Sequence, residues 1–398
     1  NIIGPLVPDI IKGFNLSLTL VAVLPLAFFI AYGVMSIPAG ILIEKYGEKK
    51  IIIAAFILAF LGALILSLAP NYLTAAASLF LIGCGMAMLQ VAINPLLRVA
   101  GGEEHFAFNS VMAQLIFGLA SFVSPLVYSY LALNLKAGDS AGPFLSTLSA
   151  LTPPELPWIA MYWVFALICL AMVLIVFISR FPKVELSKEE SSGSLKMYLT
   201  LLKNRTAILF FLGIFCYVGT EQGIANWVSQ YLSVYHGYDP QTTGAQTVAY
   251  FWGLMTAGGV VGLLLLKIMD SRKVLIGFTA LSIISLTIAL FSSPAAALIA
   301  FPMVGFFASV MYPIIFSLAL NSLKEHHGSY SGILLTGIIG GAVMPITIGW
   351  IGDRWGLQTG MLLIYITLAY ILSIGFWARP FITNKTVSLS FFKRKTSA

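Results

Sequence analysis

The chain has 398 residues, of which 59% are hydrophobic and only 9% charged, and its mean hydropathy is +0.95. Soluble domains carry about 25% charged residues, so a water-soluble globular protein is excluded and an integral membrane protein is expected. The net charge of +7 does not point to nucleic acid, because the basic residues form no aromatic-interleaved patch and gather at the ends of apolar runs, as topology signals do.

A crossing takes about 20 apolar residues. The first apolar stretch, about residues 1–14, begins at Asn1 without an initiating Met or a basic flank. A truncated span 1 and no signal peptide are expected there. Spans 2 to 12 follow at about 16–42, 50–68, 72–98, 106–133, 157–179, 206–235, 242–266, 273–291, 295–320, 328–351 and 356–378. Residues 51–97 carry no charge and divide at Pro70-Asn71; residues 274–323 carry none and divide at Ser292-Ser293-Pro294. Cys84, Cys169 and Cys216 fall inside apolar runs without metal or disulfide spacing, and are expected to be small core residues.

Two segments stand out between spans. Residues 134–156, with Gly, Ser and three Pro, are predicted to be an irregular loop. Residues 181–205 are charged and Ser-rich. They divide the chain into an N-terminal six-helix bundle (1–180), a linker (181–205), a C-terminal six-helix bundle (206–380) and a tail (381–398).

Of the 22 Lys and Arg residues, Lys12, Lys136 and Arg354 follow odd-numbered spans, and the other nineteen follow even-numbered spans or lie in the tail. By the positive-inside rule, the even-span loops and both termini are expected in the cytoplasm.

The halves echo each other. Gly40 and Gly262 are offset by 222, Gly83 and Gly305 by 222, and Pro125 and Pro345 by 220. Parallel repeats about an axis along the membrane normal occur in one large transporter class; two glycine-rich bundles could also match by coincidence.

Loop 2–3 reads Gly40-Ile-Leu-Ile-Glu44-Lys45-Tyr46-Gly47-Glu48-Lys49-Lys50. It suits a helix end, a glycine turn and a basic cluster at a helix C-terminus. Gly40, Glu44, Lys45, Gly47, Lys49 and Lys50 are the candidate conformational latch, against an ordinary positive-inside turn. The loop resembles the major facilitator superfamily signature Gly-x-x-x-Asp-Arg-x-Gly-x-Arg/Lys-Arg/Lys, with Glu for Asp and Lys for Arg. Gln90-Val-Ala-Ile-Asn94-Pro95 is similar to the Glu-x-Ala-x-Asn-Pro segment of the fucose permease-like sugar:cation symporters. Phe215-Cys216-Tyr217-Val218-Gly219, Tyr312-Pro313-x-Ile315-Phe316-Ser317-Leu318, Gly340-Gly341 and Pro38-Ala39-Gly40-Ile41-Leu42 extend the resemblance over the whole chain. It implies twelve helices in two pseudo-symmetric six-helix bundles, and sugar–cation symport by alternating access. The family pattern has an acid in span 4 where this chain has Gln90 and an Asp in span 1 near Gly4. In span 7 it has Gln where this chain has Glu221.

Glu221 is the lone charge between Thr206 and Tyr235. A mid-membrane carboxylate is costly unless partnered, protonated or cation-bound. It lies sixteen residues from Arg205, about 24 Å by helical rise, and Gln90 lies eight from Arg98, about 12 Å. The resemblance implies that spans 1, 4, 7 and 10 line a central cavity. Gln90 and Asn94 share a face at i and i+4, as sugar or ion ligands or as interhelical glue. Gln222 and Asn226 repeat that spacing beside Trp227 and Tyr231, an amide and aromatic set suited to a pyranose. Trp227 could instead be a belt aromatic. Gln114, Tyr250 and Tyr312, the counterpart of Gln90, complete the substrate candidates. Ion coupling is assigned to Glu221, with Gln90, Asn94 and Asp9; Asp9 reads first as a solvated partner of Lys12. Amide oxygens around Glu221 would suit sodium, the first expectation, and dry surroundings a proton. A buried carboxyl can also stand neutral without function.

The expected function is import of a hexose-like sugar by cation-coupled symport. The expected partners are that sugar and the lipid bilayer, and the expected form is a monomer in a bacterial inner membrane, with no organic cofactor. The alternative is a proton-coupled exporter or facilitator of another small polar metabolite. An enzyme would need clustered His or carboxylates at mid-membrane, and a receptor would need an appended domain.

Overall fold

The computed structural model of the chain describes residues 2–101, 106–136, 142–181, 201, 203–323 and 327–381. Most of the expected linker and tail lies outside these. Within described helices, the side chains of Glu44 and Asn94 lie outside the description as well.

Among the described residues every regular element is helical, and eleven helices are long and apolar enough to cross a membrane. Span 1 is the helix Ile3–Phe14, twelve residues, shorter than a crossing needs. Spans 2 to 5 are Leu18–Tyr46, Glu48–Leu68, Tyr72–Gly101 and Phe106–Lys136, and span 6 is Ala160–Ile178. Spans 7, 8 and 9 are Arg205–His236, Ala245–Ile268 and Ser271–Phe291. Spans 10 to 12 are each divided: Pro294–Ala308 with Met311–Leu320, His327–Thr336 with Gly340–Trp355, and Leu357–Met361 with Leu363–Trp377.

Local chemistry explains where these helices start and break. Asn204 opens span 7 by accepting from the backbone N–H groups of Thr206 and Ala207, and Ser293 opens span 10 by accepting from Ala296. Both satisfy amides that a helix start leaves unpaired. Span 10 breaks at Ser309-Val310 because Pro313 has no N–H for the carbonyl four residues back, and its ring crowds that carbonyl. The segment predicted as an irregular loop holds a helix instead, Pro143–Leu151. Pro143 suits its first turn, and Leu145 and Leu148 are buried on one face.

The repeat shows in the packing. A Cβ added at Gly83 would collide with the carbonyl oxygen of Phe28 in span 2. One added at Gly305 would collide with the carbonyl oxygen of Phe251 in span 8. Small residues that let backbones touch replace hydrophobic drive between helices in lipid. Gly40 and Gly262 do not share an environment: nothing lies within 4 Å of a Cβ at Gly40, whereas Val310 crowds one at Gly262.

We call the side bearing the even-span loops the basic face, and the opposite side the far face. Two carboxylates join the halves of the chain at the far face. Asp353, at the end of span 11, accepts from the backbone N–H of Leu18 at 2.8 Å and of Thr19 at 2.9 Å, and from the Thr19 hydroxyl. Asp9 of span 1 accepts from Tyr128 Oη of span 5 at 2.6 Å and from Gln241 Nε2, at the entry to span 8, at 2.8 Å. Nearer mid-membrane, the rings of Phe122 (span 5) and Tyr250 (span 8) meet at 6.4 Å. The far-face seam is therefore closed.

Candidate functional site

Span 7 carries the centre of the site. Tyr217 stands one helical turn before Glu221, on the same face, and donates its hydroxyl to Glu221 Oε2 at 2.7 Å. Gln222 donates its amide to Oε1 at 2.9 Å. Each carboxylate oxygen thus holds one donor. Among the described residues no Lys or Arg forms an ion pair with Glu221; the pair seen is Arg272 with Asp270.

Span 10 brings an aromatic wall to this carboxylate. The Tyr217 and Tyr312 rings are 5.7 Å apart, and Tyr312 stacks on Phe316 at 5.7 Å. Tyr312 follows the Ser309-Val310 break. Aromatic rings from spans 7 and 10 therefore meet beside one acid. On its other side, Gln222 and Phe29 of span 2 meet at Gly341 of span 11, where a Cβ would be 3.1 Å from Gln222 Cγ and 2.8 Å from the Phe29 ring. Asn226, one turn beyond Gln222, is 6% exposed, and its Nδ2 has no hydrogen-bond partner.

The other expected site residues separate into groups. Gln90 and Gln114 are exposed; at mid-membrane depth an exposed amide is stable toward water rather than hydrocarbon. Neither is a hydrogen-bond partner of Glu221. Tyr250 is 51% exposed and packs beside Phe122 across the seam.

Trp227 and Tyr231 are buried and bonded to neighbouring helices. Each is 1% exposed. Trp227 donates to the Pro345 carbonyl at 3.2 Å, and Tyr231 to the Leu290 carbonyl at 2.8 Å. The Tyr231 ring also meets Tyr235, His236 and Phe301. Asp9 is no solvated partner of Lys12, since Tyr128 and Gln241 hold it. Gln222 directs its amide N–H toward Glu221.

In the candidate latch, Gly47 makes the turn with φ 82°, a left-handed conformation that glycine adopts without steric cost. Lys45 and Lys50 are exposed. Lys49 donates to the carbonyls of Phe177 at 2.8 Å and Ser179 at 2.9 Å. It caps the C-terminus of span 6, where a cation meets the negative end of the helix dipole.

Reading the sequence missed Tyr217 as the partner of Glu221, although its i−4 spacing was a signal. It also missed Tyr128, Gln241 and Asp353, whose partners are 119 or more residues away in the chain; local spacing holds no trace of them.

The family model described as Major Facilitator Superfamily matches residues 1–338. The glucose/galactose transporter of Brucella abortus biovar 1 (strain 9-941) is 30% identical over 379 residues, covering 93% of this chain and 88% of that protein. The L-fucose-proton symporter of Escherichia coli (strain K12) is 27% identical over 381 residues, covering 89% and 84%. Among solved structures, the transporter FucP in its outward conformation is 24% identical, with 94% of each chain covered and a TM-score of 0.63. A bacterial homologue of the human lysosomal transporter Spinster, inward-facing and occupied, is 15% identical, with 95% and 92% covered and a TM-score of 0.69. These structural likenesses speak to the fold.

Proposed function

The chain belongs to the Major Facilitator Superfamily, and on that premise we propose that it imports a hexose-like sugar by cation-coupled symport with alternating access, Glu221 being the coupling carboxylate. The observation that carries this is the arrangement at Glu221: a membrane-embedded acid with a donor on each oxygen and the aromatic wall of span 10 beside it. The sugar class is supported by relatives named for glucose, galactose and fucose. In this reading Gln90, Gln114, Gln222, Asn226 and Tyr312 serve the sugar, and the two halves rock about the site between them.

The coupling ion is a proton rather than sodium. Both groups facing the carboxylate present hydrogens, which repel a metal cation, whereas a sodium site needs oxygen lone pairs. A hydroxyl both donates and accepts. When Glu221 takes a proton, Tyr217 can turn and accept from it, so the contact persists in both states. The basic face is cytoplasmic by the positive-inside rule, which puts both termini inside. The membrane is a bacterial inner membrane, in keeping with the bacterial relatives, and the working unit is a monomer.

The test is uptake into proteoliposomes with a panel of D-glucose, D-galactose and L-fucose, under an imposed pH gradient or an imposed sodium gradient. Accumulation driven by the pH gradient alone is expected. Accumulation driven by sodium alone would replace the proton, and no accumulation of any sugar would remove the sugar class.

A further inference from the structure

Two adjacent glycines of span 11, Gly340 and Gly341, meet different neighbours. A Cβ at Gly340 would collide with the Phe215 carbonyl oxygen, so this glycine sets span 11 on the span 7 backbone shortly before Glu221. A Cβ at Gly341 would meet side chains instead: the Phe29 ring at 2.8 Å, Val218 Cγ1 at 3.0 Å and Gln222 Cγ at 3.1 Å. Carbon atoms pack at roughly 3.5–4.0 Å, so these three side chains already fill the space that a side chain at 341 would take. From there Gln222 donates to Glu221 Oε1 at 2.9 Å. Gly341 is also the deep end of the seam between spans 2 and 11. At the far face Asp353 binds the start of span 2, and a Cβ at Gly352 would lie 2.8 Å from Leu18 Cδ1. Phe29 and Gly341 stand about 16 Å further in along their helices by helical rise. The seam therefore reaches from the far face to a partner of Glu221.

We propose that Phe29 and Gly341 are positioning residues for the coupling carboxylate: with the far face closed, Phe29 packed over Gly341 holds the Gln222 amide on Glu221, and opening the seam releases it. The inference rests on the reading of Glu221 as the coupling acid. Gly341, Val218, Gln222 and Glu221 belong to one half of the chain and Phe29 to the other, so rocking of the halves withdraws Phe29 alone. Gln222 then regains rotamers that the Phe29 ring excludes. A donated hydrogen bond favours the charged form of a carboxylate. The held amide thus favours departure of the proton while the far face is closed, and its release favours arrival of a proton when that face opens. The released amide can also bond a sugar hydroxyl. Proton and sugar are then taken up on the far side under one trigger, the order that import requires.

The test reads Glu221 directly, in the full chain in proteoliposomes. Thr19→Cys and Asp353→Cys, which replace a bonded pair across the seam, are crosslinked in a background lacking Cys84, Cys169 and Cys216, so that the far face stays closed. Infrared difference spectra at alkaline pH then locate the Glu221 carboxylate band, assigned by its loss in Glu221→Gln. Gln222→Ala should shift the band, because one donor is lost, and Phe29→Ala should shift it equally. Phe29→Leu, which keeps a side chain over Gly341, should leave it in place. The two alanine variants combined should shift it no further than either alone, as members of one unit do. If Phe29→Ala does not fold, Gly341→Ala, which crowds Gln222, should give the same shift. An unshifted band in the variant read, or in Gln222→Ala, would overturn the proposal, and so would additive shifts. In the uncrosslinked native chain, the ratio of gradient-driven accumulation to counterflow should fall about ten-fold in Phe29→Ala, the loss of one hydrogen bond to a charged group, and be restored in Phe29→Leu. The expected band shifts without sugar uptake by the native chain would support the positioning and overturn the transport reading. Sugar uptake without the band shifts would do the reverse.

Discussion

Spans 4 and 10 pack on their own halves in the same way but present different chemistry. Gly83 presses on the Phe28 backbone and Gly305 on the Phe251 backbone, so each helix meets its neighbour through a missing side chain. Seven residues further along, span 4 carries an exposed amide, Gln90, and span 10 an aromatic, Tyr312. Spans 1 and 7 diverge further. Span 7 has Glu221 with Tyr217 and Gln222 on its oxygens. Span 1 has Gly4, where any Cβ would collide with the Ala225 carbonyl oxygen. The halves agree where backbones touch and differ where side chains meet the interior. Backbone contact tolerates no added atom, whereas a polar position can change chemistry without moving a helix.

The contrast is broken most directly at Glu221. Glu221→Gln should reduce gradient-driven sugar accumulation to a ratio of about one, because a carrier without ion coupling only equilibrates its substrate, while counterflow continues. Accumulation equal to wild type in proteoliposomes would remove the coupling role and much of the asymmetry between the halves. The next largest effect concerns the shared frame. Gly83→Ala and Gly305→Ala should each destabilise the protein by about 1–3 kcal/mol, the usual cost of overpacking, in thermal unfolding in detergent. If one variant were neutral, the two contacts would not be equivalent.

Tyr217→Phe sharpens the comparison at one atom. It keeps the ring beside Tyr312 but removes the donor on Oε2, and a hydrogen bond to a charged group is worth about 1.5–3 kcal/mol. Driven uptake should fall about ten-fold or more with counterflow retained; a parallel fall in both would assign Tyr217 to packing. The smallest effect lies at the basic face. Burial opposes the charge on Asp270, but bonds from the Arg272 side chain and backbone outweigh it and hold the carboxyl below its ordinary range. Asp270 therefore contributes stability above the unfolded pKa of about 3.9, and this is lost as pH falls through the lower folded value. Asp270→Ala should cost about 1 kcal/mol near neutral pH, as for other N-caps. The difference in melting temperature from wild type should shrink in acid.

Much of this molecule was legible before any coordinates. Charge-free runs marked the spans, and Ser293-Pro294 marked a helix start, because such rules act within a few residues. Glu221 was legible because a lone acid in an apolar run is costly wherever that run packs. The surroundings of Trp227 and Tyr231 were not legible. Their spacing put them near the amides of span 7, but spacing along one helix does not say which neighbour covers which face. Spans 9 and 11 supply the carbonyls that bind them.

From the sequence alone came the membrane class, the span boundaries, the repeat and the lone acid of span 7, because hydropathy, charge placement and glycine spacing are written in local order. Tertiary structure alone decided that Tyr217 and Gln222 hold Glu221, that Tyr312 walls it, and that Asp9 and Asp353 close the far-face seam. Those contacts depend on side-chain rotamers or on the meeting of distant helices, and the polar partners of a buried carboxylate are chosen by proximity in space rather than along the chain.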